Sequence, residues 1–184
     1  ANQARTEYAA NKIYKSLGVE VPESYLAELQ TFSGNKKLAF ITKWHPDLKR
    51  ITAQEMTQHP EDLAKIFHSS VLVKNWDVVG MEYDNLLLNS KGKLTLIDAG
   101  GSFKFRAKGL PKSYGTDIDE VSTFLSPSKN PQSAKVFGEI DKNNALFGKK
   151  YTTWLKKLNS SGVMDIMKSA GFSEIESKEL TDAL

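Results

Sequence analysis

Three oxygen-bearing side chains within a short stretch of the chain could act together: Asp77, Asn85 and Asp98. Asn85 stands immediately before one apolar run, residues 86–88, and Asp98 follows a second run, residues 94–97, with a Lys-Gly turn between the runs. Two such runs predict an antiparallel hairpin, whose register would bring the side chains at its open end together. An amide oxygen and a carboxylate meeting there make a hard, oxygen-only site that suits Mg²⁺ and accepts phosphate oxygens.

Asn85 and Asp98 also have ordinary structural explanations, which the sequence leaves open. Asp98 leads into Gly100 and Gly101, and Asp-Ala-Gly is common turn composition, so the carboxylate could simply close an Asx-turn. Asp84 and Asn85 could likewise cap a strand. The functional interpretation depends on the hairpin bringing the two together.

Asp77 and one further acid, Glu7, are also candidates for chemistry. Asp77 follows Trp76 at the end of a predicted helix, where a carboxylate could accept the proton of an incoming hydroxyl; Asp84 is a rival for this role, and a solvated loop acid is the alternative. Glu7 lies on the apolar face of a helix predicted over residues 4–17, and a buried acid requires a cationic partner, such as a lysine that anchors phosphate. The alternative for Glu7 is an acid stabilised by the helix dipole.

Hydrophobic periodicity predicts the elements that must position these side chains. After the first helix, a β-hairpin is predicted from residues 25–29 and 37–44, and a second helix begins at Pro60 and ends before Trp76. Beyond the second hairpin, Phe103 and Phe105 alternate with basic residues and predict a short strand. Helices are predicted over residues 121–125, 131–140, 144–158 and 163–170, and from Ser173 onward with Glu176 completing a capping box. The fold class is therefore α+β.

Composition limits the function classes. The 184 residues include 40% hydrophobic and 26% charged residues, which suits one compact domain over residues 1–184. A net charge of +3 with interspersed signs gives no clear nucleic-acid footprint, although Lys104, Arg106 and Lys108 could bind an acidic substrate or form a solvated face. Cysteine is absent, which excludes disulfides and thiolate chemistry. No apolar run is long enough for a membrane span, so we expect a soluble protein, and the missing initiator Met suggests an excised piece.

At the residues around Asp77, Asn85 and Asp98 the chain resembles the protein-kinase-like superfamily. The segments Asn75-Trp76-Asp77-Val78-Val79-Gly80, Tyr83-Asp84-Asn85 and Ile97-Asp98-Ala99-Gly100-Gly101 are similar to those of its phosphatidylinositol-kinase-like and bacterial branches. They look closest to a kinase-like module of phage or mobile-element proteins and of contact-dependent or polymorphic toxins. The resemblance extends over roughly residues 4–140.

The resemblance implies a role for each candidate residue. Asp77 would be the catalytic acid/base, Asn85 and Asp98 the magnesium ligands, and Glu7 the partner of the lysine that binds ATP. Trp44 is most simply a core or hinge residue, although it lies where an adenine could stack between the lobes. The fold would be a small-lobe remnant over residues 1–44, made of a helix and a hairpin, and a mainly helical large lobe over residues 52–184.

The sequence departs from the family pattern in two places. Seven residues separate Asp77 from Asn85, where the usual catalytic loop has four. No glycine-rich strand or anchoring lysine precedes Glu7, and Lys43 is the nearest substitute.

The leading expectation is a phosphotransferase that uses Mg²⁺ and ATP and acts on a hydroxyl of a protein or small molecule. If it is a toxin delivered into a target-cell cytoplasm, an immunity protein would be its partner. Two other classes stay open: an inactive pseudokinase or binding module, and a non-enzymatic, membrane-acting toxin on a degenerate kinase scaffold.

Overall fold

The computed structural model describes residues 2–106, 110–112, 119–142, 153–156 and 158–184, and these form an α+β fold. The helices are α1 (Asn2–Ser16), α2 (Ala53–Met56), α3 (Pro60–Leu72), α4 (Glu120–Phe124), α5 (Pro131–Lys142), α6 (Ser160–Ser169) and α7 (Glu174–Asp182). The strands are β1 (Ser24–Gln30), β2 (Lys36–Thr42), β3 (Leu86–Leu88) and β4 (Leu94–Leu96). None of the helices in these ranges is long and apolar enough to cross a bilayer.

The first hairpin packs on α1. Helix α1 ends at Ser16, and Gly18, the predicted stop, has a φ of 72° in the left-handed region that glycine adopts without strain. Strands β1 and β2 pair antiparallel from Ser24 opposite Thr42 to Gln30 opposite Lys36, which confirms the predicted hairpin. Ser24 Oγ donates a 2.9 Å hydrogen bond to Asn11 Oδ1 of α1 and thereby anchors the base of the hairpin to the helix.

The second hairpin is the one that Asn85 precedes and Asp98 follows. Strands β3 and β4 pair antiparallel, and the amide of Ile97 donates a 3.0 Å bond to the carbonyl of Asn85, which extends the ladder beyond the strands. The segment after the first hairpin also joins this sheet, because Lys49 and Leu88 exchange two backbone hydrogen bonds of 2.9 Å. Residues on either side of Lys49 are therefore held against β3.

The core forms where α1 meets α3, the second hairpin and the C-terminal helices. Its centre is aromatic: Phe67 of α3 makes edge contacts with Phe124 and Phe137, at ring-centroid distances of 5.7 and 5.1 Å. Buried aromatic pairs of this kind add to the stabilisation from apolar burial. Ile13 and Tyr14, on the inward face of α1, are also fully buried, so the predicted amphipathic helix is confirmed.

Two predictions of local structure need correction. Residues 101–104 form turns instead of a strand, because Phe103 adopts φ 52° and its side chain is buried, and Phe105 makes only a single bridge with Pro111. Helix α2 was not predicted, although Thr52 and Glu55 form a capping box that its sequence already shows. The capping box at Ser173 and Glu176 is confirmed. Most of the helix predicted over residues 144–158 lies outside the described residues.

Candidate functional site

A cleft of about 540 Å³ lies between the two hairpins and contains most of the predicted site residues. Phe40, Thr42 and Trp44 line it from the first hairpin and its continuation. Its other described lining residues come from α1, the segment that bridges to β3 and the second hairpin, and these are Glu7, Leu48, Arg50, Asp84, Asn85, Leu87, Ile97 and Asp98. The cleft thus has an apolar wall with an exposed tryptophan and an acidic floor.

Asn85 and Asp98 both line the floor of this cleft. The amide nitrogen of Asn85 donates a 2.6 Å bond to the carbonyl of Asp77, so Asn85 Oδ1 is left without a hydrogen bond from any described residue. One oxygen of Asp98 accepts the amide of Gly100 at 2.7 Å, which is the Asx-turn of the alternative interpretation, and the carboxylate remains exposed. The turn orients Asp98 without using its second oxygen, so the structural and functional interpretations are compatible.

The long loop between Asp77 and Asn85 folds back on itself. The carbonyl of Asp77 accepts both the amide of Gly80, at 3.2 Å, and the side chain of Asn85, and the amide of Asn85 donates to the carbonyl of Val79. Gly80 has φ 82°, and a Cβ there would lie 2.3 Å from Asp84 Oδ1, so only glycine allows this turn. The seven intervening residues therefore bring Asp77 directly behind Asn85.

The Asp77 loop is fastened to α1 and to the glycine pair after Asp98. Asn75 accepts the amide of Asp77 through Oδ1 and donates through Nδ2 to the buried hydroxyl of Tyr14, at 3.1 Å. A Cβ on Gly101 would lie 2.7 Å from Asn75 Oδ1 and 3.2 Å from Asp77 Cβ, so this close approach requires glycine. The second glycine of the motif thus serves packing between two loops that carry candidate acids.

Buried Lys112 bridges the same two loops. Its Nζ donates to the carbonyl of Lys74 and, at 2.7 Å, to that of Gly101, and it lies 5.2 Å from the centre of the Trp76 ring. Burial lowers the pKa of Lys112 to about 7, against the opposing effect of Glu120. Lys112 therefore holds the loop of Asp77 next to the loop of Asp98.

Burial and neighbouring carboxylates raise the pKa of two acids in this region, Glu7 and Asp77. Burial, and then the charge of Asp98, raises the pKa of Glu7 to about 7. Burial, followed by Asp98 and Asp84, also raises the pKa of Asp77. These shifts place Asp98 within electrostatic reach of both acids, although Asp77 itself lines a neighbouring cavity and not the cleft. A cation bound among these groups would reduce their mutual repulsion.

We expect Glu7→Gln to change the pH dependence of stability. The folded state keeps a proton on Glu7 between its ordinary pKa of 4.5 and about 7, where the unfolded chain has lost it, so wild-type stability falls as pH rises through this interval. At pH 8 the free energy of unfolding of the variant should exceed that of the wild type by on the order of 1–2 kcal/mol, because solvent screening at the partly exposed side chain reduces the effect. At pH 4.5 the two should agree.

Urea unfolding at both pH values measures this difference. Glu28→Gln is the matched control, because Glu28 is 64% exposed and pairs with Lys36 across the first hairpin. An equal difference at pH 4.5 and pH 8 would exclude titration of Glu7 as the cause.

Lys43 and Arg50 differ in their relation to the cleft. Lys43 is exposed and stands between the lining residues Thr42 and Trp44, but it is not a lining residue itself. No described cation makes an ion pair with Glu7. Arg50 does line the cleft, and its Nη2 lies 3.6 Å from Asp84 Oδ2. Among the described residues that line the cleft, the cation is thus Arg50, which follows the hairpin. Neither Arg50 nor Lys112 carries a motif that would single it out in the sequence.

Mg²⁺ is the ion that the donor set would fit. Within the described ranges, no three His, Cys, Asp or Glu side chains converge to form a metal site alone. Mg²⁺ usually takes only one or two carboxylates and completes its shell with water and substrate phosphates. The unpaired Asn85 Oδ1 and the exposed Asp98 match that requirement.

Comparisons of this chain with protein-family models, with curated proteins and with solved structures give no match.

Proposed function

We propose that this chain is a kinase-like phosphotransferase domain that binds Mg²⁺ and ATP in the cleft between its hairpins. The observation that carries the proposal is the convergence of Asn85 and Asp98 on one cleft, with Asp77 held directly behind Asn85 by a 2.6 Å hydrogen bond. Phosphoryl transfer requires oxygen ligands for Mg²⁺ and a carboxylate that orients the attacking hydroxyl.

The cleft and the adjacent Asp77 loop supply different parts of this function. Asn85 and Asp98 would hold Mg²⁺, which neutralises the phosphates of ATP. Trp44 is 76% exposed beside the cleft and offers its ring to the adenine, since aromatic faces stack on bases. Arg50 is the described cation on the lining, and it can pair with phosphate oxygens in place of the missing lysine. Asp77 would accept the proton of the acceptor hydroxyl, and its raised pKa suits a general base.

The metal dependence of ATP binding tests the proposal. We expect calorimetric titration to give ATP affinity that depends on Mg²⁺, and Asp98→Asn to weaken the Mg²⁺-dependent part by about tenfold to hundredfold, because one ligand becomes a neutral amide. Asp182→Asn is the matched control, since Asp182 is an exposed acid paired with Lys178 on α7. Equal ATP binding with and without Mg²⁺ would contradict the proposal.

A nucleotide-binding module without transferase activity is the second candidate. The observation in its favour is that Glu7 has no cationic partner among the described residues, whereas active kinases pair the corresponding acid with a lysine. Mg²⁺-dependent ATP binding without any release of phosphate from ATP would select this function over transfer.

A further inference from the structure

A second cavity, of about 230 Å³, is lined by Asp77, whose backbone carbonyl accepts a hydrogen bond from Asn85 of the cleft. Its described lining includes Trp76 and Asp77 from the Asp77 loop, Arg106, and the residues that lead into α5. Asp77 is the single carboxylate among those lining residues, in contrast to the acidic floor of the ATP cleft. One carboxylate thus stands between a cavity rich in acids and a cavity with cationic walls.

The positive charge of this second cavity has three sources. The guanidinium of Arg106 lies 5.4 Å from the centre of the Trp76 ring and makes no ion pair with a described carboxylate. Lys129 lines the cavity as well, two residues before α5. The N-terminus of α5, a helix of 12 residues, also borders the cavity. Asn130 Oδ1 accepts the amide of Ser133 there, and the helix dipole at this end favours an anion.

An independent observation at the same place is the hydroxyl of Ser133. Ser133 lines the cavity from the first turn of α5, is 1% exposed, and its Oγ has no hydrogen-bond partner in the described part of the chain. Buried hydroxyls are nearly always paired, so an unpaired one next to a cavity indicates a missing ligand. A hydroxyl that can donate, with two cationic side chains and a helix N-terminus, makes an oxyanion site.

We propose that this second cavity binds the phosphoacceptor and that the acceptor carries an anionic oxygen group, a phosphate or a carboxylate, recognised by Arg106, Lys129 and Ser133. The identification of this ligand as the acceptor rests on the proposed function; the binding of an anion does not. The acceptor hydroxyl would reach Asp77 from the cavity side. Its oxygen forms a bond to the γ-phosphorus as the bond from that phosphorus to the bridging oxygen breaks, ADP leaves with the electron pair, and the hydroxyl proton passes to Asp77.

Anion binding can be tested without knowledge of the acceptor. Inorganic phosphate is titrated into ¹⁵N-labelled protein at constant ionic strength, with acetate in a second arm to distinguish phosphate from carboxylate recognition. We expect saturable shifts of the Gln132 and Ser133 amides in at least one arm. Arg106→Gln and Lys129→Gln should each weaken that binding by about tenfold, the loss expected for one charge-assisted contact. Lys142→Gln is the matched control, because Lys142 ends the same helix, is exposed and pairs with Glu139.

The outcomes separate this inference from the proposed function. Asp98→Asn should keep the phosphate or acetate shifts while it loses Mg²⁺-dependent ATP binding. The protein could show anion-induced shifts at α5 that depend on Arg106 and yet bind no ATP. That result would support the anion site, but it would contradict both the acceptor role and the proposed function. Shifts that are absent from α5, or equal losses in the Arg106 and Lys142 variants, would overturn the inference even if ATP binds.

Discussion

Asp77→Asn should slow release of phosphate from Mg²⁺-ATP by about 10²–10⁴-fold, the usual loss when a general base is removed. Water takes the place of the acceptor in this assay. The structural contacts of Asp77 come from its backbone: its amide donates to Asn75 and its carbonyl accepts from Asn85 and Gly80. The substitution therefore removes a proton acceptor and leaves the loop intact, so the affinity for Mg²⁺-ATP should change by less than about twofold.

The rival base gives the control for this experiment. Asp84→Asn changes the same kind of group in the same loop, but Asp84 faces the cleft and pairs with Arg50. Burial and two neighbouring carboxylates raise the pKa of Asp77, so the asparagine variant should be at least as stable as the wild type in urea, and a slow rate could not be ascribed to unfolding. If phosphate release is slowed in Asp84→Asn and unchanged in Asp77→Asn, the general base is Asp84.

Lys112→Met should destabilise the protein by about 3 kcal/mol at pH 9, because the carbonyls of Lys74 and Gly101 lose their buried hydrogen-bond donor. The loss should be smaller at pH 6, by about half. The pKa of Lys112 in the folded state is lowered from 10.5 to about 7, so its contribution to stability is largest above pH 10.5 and declines as pH falls through 7. Charging the buried amine costs free energy that the methionine variant avoids.

Urea unfolding at pH 6 and pH 9 measures both values. Lys104→Met is the matched control from the same segment, since Lys104 is 45% exposed and pairs with Glu179 at the surface, where a salt bridge contributes little. A penalty that does not depend on pH would mean that Lys112 stays charged in the folded state. The variant should also lose phosphate release, because Lys112 joins the loops of Asp77 and Asp98.

The elements whose stability is mainly local could be predicted from the amino-acid sequence. The periodicity of α1 and α3, the Asn130 cap of α5 and the turn between β3 and β4 predict their structures because each depends on neighbours within a few residues. The position of Asn85 and Asp98 on one cleft was predictable for the same reason, since a short hairpin brings its two ends together. Phe103 was mispredicted because burial of its side chain overrides the alternating pattern.

Long-range contacts bring the other groups to the site, and these contacts could not be predicted from the sequence. The fold-back of the Asp77 loop depends on Gly80, and the loop is held by Tyr14 from α1, across 61 residues. Arg50 enters the cleft because its neighbour Lys49 pairs with Leu88, and Lys112 acquires its role from two carbonyls on other loops. These positions follow from long-range packing and hydrogen bonding, which no local pattern of residues encodes.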